Sequence, residues 1–172
     1  DAEMITIDFA DYSAVDIVCN ICKRLPFKDG VLDGSTSWGV IEHIESPETL
    51  VAELARCTKP KGKAVHMVPF LYHFHSSPHD FVRYTHQGLR HLFGAFRVVD
   101  TRNASGPISY FLLGFVEFGA TLLSFGSERL KAYAYLALCA ATFPIKLLDW
   151  PFVNRKAFRG LAPCLLVVAE RE

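Results

Sequence analysis

LPFKDGVLDGSTSWGVIEHIESP, residues 25–47, is the stretch that decides the fold. It opens as a loop (Leu25, Pro26, Phe27, Lys28, Asp29, Gly30) and runs into an apolar strand over about residues 31–38. Glu42-His43 then begins a helical region. Ser46 sits where an N-cap belongs, with Pro47 at the first helical position and Glu48-Thr49 behind it. Leu50, Val51, Leu54, Ala55 and Thr58 recur at helical spacing, and Lys59-Pro60-Lys61-Gly62 ends the helix and turns into residues 63–69, KAVHMVP. The stretch is therefore the strand and helix of a strand–helix–strand unit.

Working outward, residues 4–8 (MITID) and 15–20 (VDIVCN) read as two earlier short strands. Thr85 caps a helix to about Phe93, and residues 96–101 and 163–170 read as late strands. Short apolar runs alternating with helices predict parallel strands buried on both faces. The late pair predicts an open, Rossmann-like, mostly parallel α/β sheet whose last strand is an antiparallel edge. Between the late strands, residues 109–125 and 132–148 each carry a single charge, Glu117 and Lys146, and the second contains Pro144. The chain thus divides into an α/β domain, residues 1–105 with 161–172, and an apolar helical insertion, residues 106–160. Packing over the sheet or substrate cleft, a membrane surface and a protein partner are all open to the insertion; Arg129, Lys131, Lys146, Arg155, Lys156 and Arg159 flank rather than stripe its apolar segments.

Bulk composition narrows the classes further. Eighteen acidic residues balance eighteen basic ones, and no basic-aromatic run speaks for nucleic acid. Five cysteines at irregular spacing make no disulfide framework and point to a reducing compartment, the cytoplasm or another. Cys19 and Cys22 form a lone CxxC, with Cys19 read as a small buried strand residue.

The LPF loop, the strand, the Glu42-His43 pair, KPKG before the next strand and the run PHDFVRYT (residues 78–85) together resemble class I S-adenosylmethionine-dependent methyltransferases of the methyltransferase type 11 kind. The resemblance covers about residues 5–96 and 163–170. In that family an upstream strand, its glycine-rich turn and the following helix hold the cofactor. The resemblance implies that this N-terminal strand and helix are missing here.

The resemblance also implies S-adenosyl-L-methionine as cofactor and a small or lipid-like methyl acceptor. Asp8 ends the first strand, where the family's acid meets the ribose hydroxyls. Asn20, with Ile21, stands where the family has an Asp near the adenine amine. Leu25 belongs to the apolar rest beneath the adenine. Ser37 and Trp38 face the methionine part, and Glu42 and His43 follow in the turn. The alternative roles are a turn acid for Asp8 and structural hydrogen bonding for Glu42 and His43. Ligands of open α/β sheets bind beyond the carboxyl ends of the strands, so the run PFLYHFHSSPHDFVRYTHQG (residues 69–88) reads as the acceptor side. Asp80 and Arg83 are expected to pair and stiffen it, with Tyr72, His73, His75 and Tyr84 lining a pocket. His73, His75 and His79 are the candidate bases. Their spacing fits no metal-ligand pattern, and no metal is assigned. A non-catalytic methyltransferase fold with a structural or assembly role is the alternative function.

Overall fold

A computed structural model describes residues 3–75 and 78–172. Two strands, β1 (Ile7–Asp8) and β2 (Ile17–Val18), pair in parallel. Thr6 reinforces the turn between them: its backbone N–H and its hydroxyl both donate to Asp16 at 2.7 Å. A second sheet has the order β3-β4-β6-β5, built from β3 (Leu32–Trp38), β4 (Thr58–Pro69), β5 (Arg97–Asn103) and β6 (Cys164–Glu170). β3 runs parallel to β4, while β6 is antiparallel to both β4 and β5.

The antiparallel strand is therefore not an edge, as its late position suggested. It fills the slot between β4 and β5, and β5 takes the edge. Burial also departs from the two-sided expectation. Along β6, Leu165, Val167 and Ala169 are buried while Cys164, Leu166 and Val168 are half-buried. Helices α1 (Pro47–Cys57) and α2 (His86–Leu92) supply Leu50, Val51, Leu54, Leu89 and Leu92 to one core against that inner face. The outer face has no comparable helical cover among the described residues, which produces the alternation.

Helix α1 begins where the Ser-Pro-Glu signal places it, although the Ser46 side chain makes no capping bond. It stops at Cys57, and the Thr58 hydroxyl donates to the Leu54 carbonyl at 2.7 Å. The β3–β4 register jumps from Leu32↔Thr58 to Gly34↔Lys63, so KPKG bulges out of the ladder with Lys61 at φ 66°. The LPF loop is fastened to α1 through Arg56, which pairs with Glu53 in the helix and with Asp29 in the loop. Glu53 accepts from the Leu25 N–H and from Arg56, and Arg56 donates to the carbonyls of Leu25 and Phe27. Hydrogen bonding to that guanidinium pulls the Glu53 carboxyl down to about 2.

The insertion forms a helical hairpin, α3 (Pro107–Leu123) and α4 (Glu128–Lys146). The two helices pack on each other and on the turn of residues 147–149 rather than on the sheet. Buried Asp149 fixes its foot: the carboxylate accepts from the N–H groups of Gly106 at 3.2 Å, Ile108 at 2.8 Å and Ser109 at 2.9 Å. Three orphan donors of the α3 N-terminus are thus satisfied from beyond the end of α4. Gly106 is required there, because an added Cβ would lie 2.4 Å from the Asp149 carboxylate.

Losing this cap should loosen the hairpin selectively. Asp149→Ala is expected to cost about 2 kcal/mol in urea unfolding and to expose residues 105–150 to limited proteolysis before the sheet. Unchanged protection of the hairpin would refute the anchoring role.

Candidate functional site

Pro69 ends β4 and launches the loop to Thr85. The chain is caught at both ends of the loop: Phe70 N–H donates to Pro163 O at 2.7 Å, and Tyr84 N–H to Pro69 O at 3.4 Å. Thr85 then caps α2 by accepting from Gly88 N–H at 3.1 Å. Arg83 organises the interior of the loop. It grips both oxygens of Asp80 and donates to the carbonyls of Tyr72 at 3.2 Å and His73 at 3.0 Å. Asp80, its side chain 1% exposed, also accepts from His75 N–H at 2.9 Å. The Arg83 guanidinium holds the Asp80 carboxyl well below the usual carboxylate range. The pairing expected of Asp80 and Arg83 is present, and it fixes the backbone of Tyr72, His73 and His75. Ser76 and Ser77, within the run read as the acceptor side, lie outside the described residues.

Glu42 and His43 form a single 3-10 turn after β3. Glu42 is buried, and its Oε1 lies 3.9 Å from His43 Nε2 and 3.8 Å from His75 Nε2. Its Oε2 is buried without a hydrogen-bond partner among the described residues. His43 turns its Nδ1 to the carbonyl of His79, and His75 stands edge-on to His43 with ring centroids 5.2 Å apart. Tyr72 packs against both His73 and His75, at 4.6 and 4.9 Å between centroids. Burial pushes His73 below its ordinary value, while the Glu117 carboxylate of α3 pulls the other way. His79 stands apart: its ring is exposed and stacks on Phe81, so only its main chain joins the cluster. Of the three candidate bases, only His75 turns a ring nitrogen toward Glu42.

The residues placed on the cofactor side are more dispersed. Asp8 and Asn20 follow the carboxyl ends of adjacent parallel strands, as expected. Asp8 Oδ1 accepts from Ala10 N–H at 3.0 Å, and Asn20 Oδ1 accepts from Cys22 N–H at 2.9 Å. Each is a turn former that keeps one polar atom spare, Oδ2 and Nδ2. The Asp8 carboxylate oxygen suits ribose hydroxyls, whereas Asn20 has only its Nδ2 donor left, which suits a ring nitrogen of the base and not its amine. Ile21 and Cys19 are half-buried beside the core, so Cys19 is less enclosed than expected. Leu25 is 2% exposed and built into that core, so it supports the loop instead of offering a surface. Ser37 turns its hydroxyl into the sheet to His66 Nδ1 at 2.7 Å, whereas Trp38 is 71% exposed. Tyr84 packs against the core beneath α2.

Sequence reasoning did not single out two further groups. His66 lies on the inner face of β4 between the hydroxyls of Ser35 (3.2 Å) and Ser37, against Phe93. Only the i, i+2 serines of β3 hinted at it. Cys164 opens β6 near Glu42 and Arg83, and burial pushes its thiol up to about 11.

Comparison with known proteins bears on the fold. Residues 1–66 match the model of the family described as methyltransferase domain. No curated protein sequence matches the chain. The [4+2]-cyclase SpnF superposes with a TM-score of 0.55 at 14% identity, over 90% of this chain and 54% of that one. Phosphoethanolamine N-methyltransferase 2 of Haemonchus contortus, in complex with S-adenosyl-L-methionine, superposes at 0.51 with 18% identity, over 89% of this chain and 36% of that one. The chain spans about half or less of the length of these structures, and the likeness is one of fold.

The buried histidine makes the site's support pH-sensitive. Burial lowers His66 to about 4, below its ordinary 6.5. The unfolded chain then binds the extra proton first, so stability is full above pH 6.5 and declines as pH falls toward 4. The loss amounts to at most about 3 kcal/mol. Depressed Glu53 and Asp80 add a second decline at lower pH, below the ordinary carboxylate range. Denaturant midpoints measured from pH 7.5 to 4 should show the first decline, and His66→Gln should flatten it. A slope unchanged in that variant would refute the assignment.

Proposed function

We propose that this class I, methyltransferase type 11-like chain takes part in transferring the methyl group of S-adenosylmethionine to a small or lipid-like acceptor seated against the loop of residues 70–84. One observation carries the reading. Polar groups of the right kinds gather beyond the carboxyl ends of the strands: Asp8 and Asn20 after β1 and β2, and Glu42, His43 and His75 after β3 and β4. This is where open α/β sheets bind ligands.

Bound S-adenosylmethionine supplies a methyl group on a sulfonium, an activated leaving group, so alignment of the partners provides most of the rate. The chain's own residues have three tasks. Asp8 Oδ2 accepts from ribose hydroxyls, and the Asn20 amide meets the base. The Asp80–Arg83 pair holds the backbone of Tyr72, His73 and His75, so that Tyr72 and His75 present a fixed wall to the acceptor. The cluster of Glu42, His43 and His75 faces the acceptor atom and supports its nucleophilic form where that atom carries a proton.

A second reading, a methyltransferase fold kept for structure or assembly, draws support from Asn20 and Leu25. The first replaces the family's charged acid and spends its carbonyl on a turn; the second is buried in the core. Titration calorimetry of the intact protein with S-adenosylmethionine and with its demethylated product separates the two readings. Binding of both is expected, weakened about 10- to 100-fold by Asp8→Ala through loss of a charge-assisted hydrogen bond. His75→Ala should lower turnover with little change in cofactor affinity. If the intact protein binds neither ligand, the enzymatic reading fails and the structural one stands.

A further inference from the structure

We infer that Glu42, His43 and His75 form a binding site for one divalent transition-metal ion of the zinc or iron(II) class. The argument rests on where protons must reside. A carbonyl oxygen only accepts, so His43 Nδ1, bonded to His79 O, carries the ring's hydrogen and leaves the Nε2 lone pair facing Glu42 Oε1. His75 Nδ1 has the His73 carbonyl at 3.2 Å and Asp80 Oδ2 at 3.5 Å. Arg83 also approaches it at 3.4 Å, but that guanidinium nitrogen already donates to Asp80 and His73. His75 Nε2 therefore also turns a lone pair toward Glu42, at 3.8 Å.

Two imidazole lone pairs and a buried carboxylate thus converge on one point, with all three ligand atoms within 4.8 Å of one another. With both rings neutral, the two lone pairs and the carboxylate are arranged as the ligand set of one cation. Glu42 Oε2, buried without a hydrogen-bond partner among the described residues, is the second sign of an unmet demand. A backbone carbonyl or carboxylate behind each ligating histidine is the usual orientation device of metal sites. Metal–ligand bonds of about 2.1 Å put tetrahedral neighbours about 3.4 Å apart, so the two histidines, 3.8–3.9 Å from Glu42 and within 4.8 Å of each other, must draw in on the ion. Two histidines and one carboxylate leave coordination positions open toward the loop. Use of the ion to activate an acceptor rests on the function proposed above; binding of the ion does not.

Metal analysis of the intact protein after dialysis against zinc, and the visible absorption of the cobalt-substituted form, test the site. One equivalent of zinc, and cobalt bands of low coordination number, are expected. Affinity should fall at least about ten-fold in Glu42→Gln, His43→Ala and His75→Ala, and remain unchanged in His79→Ala. Less than one equivalent, or equal affinity across all four variants, overturns the site. Cofactor binding measured alongside by calorimetry shows separately whether the methyltransferase reading survives.

A different observation carries a second inference: we propose that the outer side of the α3–α4 hairpin lies on an anionic phospholipid surface. Phe111, Phe115, Phe118 and Leu122 form an exposed stripe at i, i+4, i+7 and i+11, and Phe118 is 69% exposed. The apolar strip continues through Phe125 at the tip and Tyr133 on α4 to Trp150 at the foot, the last 88% exposed. Residues 128–149 are long and apolar enough to cross a membrane, and little of their most apolar stretch is buried. An exposed apolar strip of this kind marks a surface that meets a partner or a membrane. Charge selects the partner. Beside the foot, a cavity of about 240 Å³ is lined by Arg90, Arg102, Arg155, Lys156 and Arg159 against a single acid, Asp100. In a chain of net charge zero this is a local positive collar, suited to lipid phosphates next to an apolar face.

Co-flotation of the intact protein with phosphatidylcholine vesicles, with and without phosphatidylglycerol, tests the proposal. Binding to the anionic vesicles is expected. It should fall roughly thirty-fold in the Arg155→Gln, Lys156→Gln double variant, at about a factor of five per basic residue, and be lost in Phe115→Ser, Phe118→Ser. Both variants alter exposed side chains, so their unfolding midpoints should match the parent. Failure to float with anionic vesicles overturns the proposal. So does equal binding to neutral ones, or a dimer in gel filtration that disappears in the phenylalanine variant while lipid is ignored.

Discussion

Strand β4 is the constraint on which the other parts depend. It is paired along both sides, parallel to β3 and antiparallel to β6, and its inner face carries Ala64, His66 and Val68 into the core. Pairing on both sides leaves no freedom in where it ends. Pro69 is held opposite Cys164, and Phe70 and Leu71 donate to Pro163 and Ala162. The loop beyond starts from a fixed point and returns to it through Tyr84. Tight anchoring at the sheet lets a loop rich in histidine keep a defined shape, because such a segment has few apolar contacts of its own to offset its ordering entropy.

Within the loop, charge does the work that packing does elsewhere. Arg83 spreads its donors over Asp80 and two backbone carbonyls, so one planar group fixes several chain positions at once. The same device appears at the LPF loop, where Arg56 and Glu53 hold Leu25 and Phe27. In both places an ion pair is partly shielded and fully hydrogen-bonded, the condition under which such pairs specify conformation. Asp149 extends the pattern to the hairpin, capping α3 from about forty residues downstream.

Local features were legible in the sequence because their causes are local. The Ser-Pro-Glu start of α1, the Thr85 cap and the alternation of strands and helices each depend on neighbours a few positions away. The Asp80–Arg83 pair, three residues apart, was legible for the same reason. The position of β6 was not, because a late antiparallel strand can sit at an edge or between two others with the same residue pattern. The one-sided burial of the sheet was hidden for a related reason: it depends on both short helices choosing the same face. At the site, Glu42 and His43 were marked for the cofactor side and His75 for the acceptor side. Their convergence joins residues 32 positions apart, and neither spacing nor type encodes it.

The convergence also explains why the histidine run resisted a metal-ligand reading. Searched as a consecutive motif, His73, His75, His79 and Asp80 have no sensible spacing, since Asp80 is consumed by Arg83 and His79 turns its ring to Phe81. Removing those two leaves His73 and His75, of which only His75 turns a ring nitrogen toward Glu42, and the missing ligands come from the turn after β3. The sheet brings them together: β3 and β4 are parallel neighbours, so the turn after one and the loop after the other emerge side by side at the same end. Phe81 N–H donating to Glu42 O at 2.8 Å ties the two segments directly. A cation there would meet a carboxylate buried before its arrival and imidazoles already oriented by their Nδ1 partners. The cost of ordering the ligands is then met in folding rather than in binding.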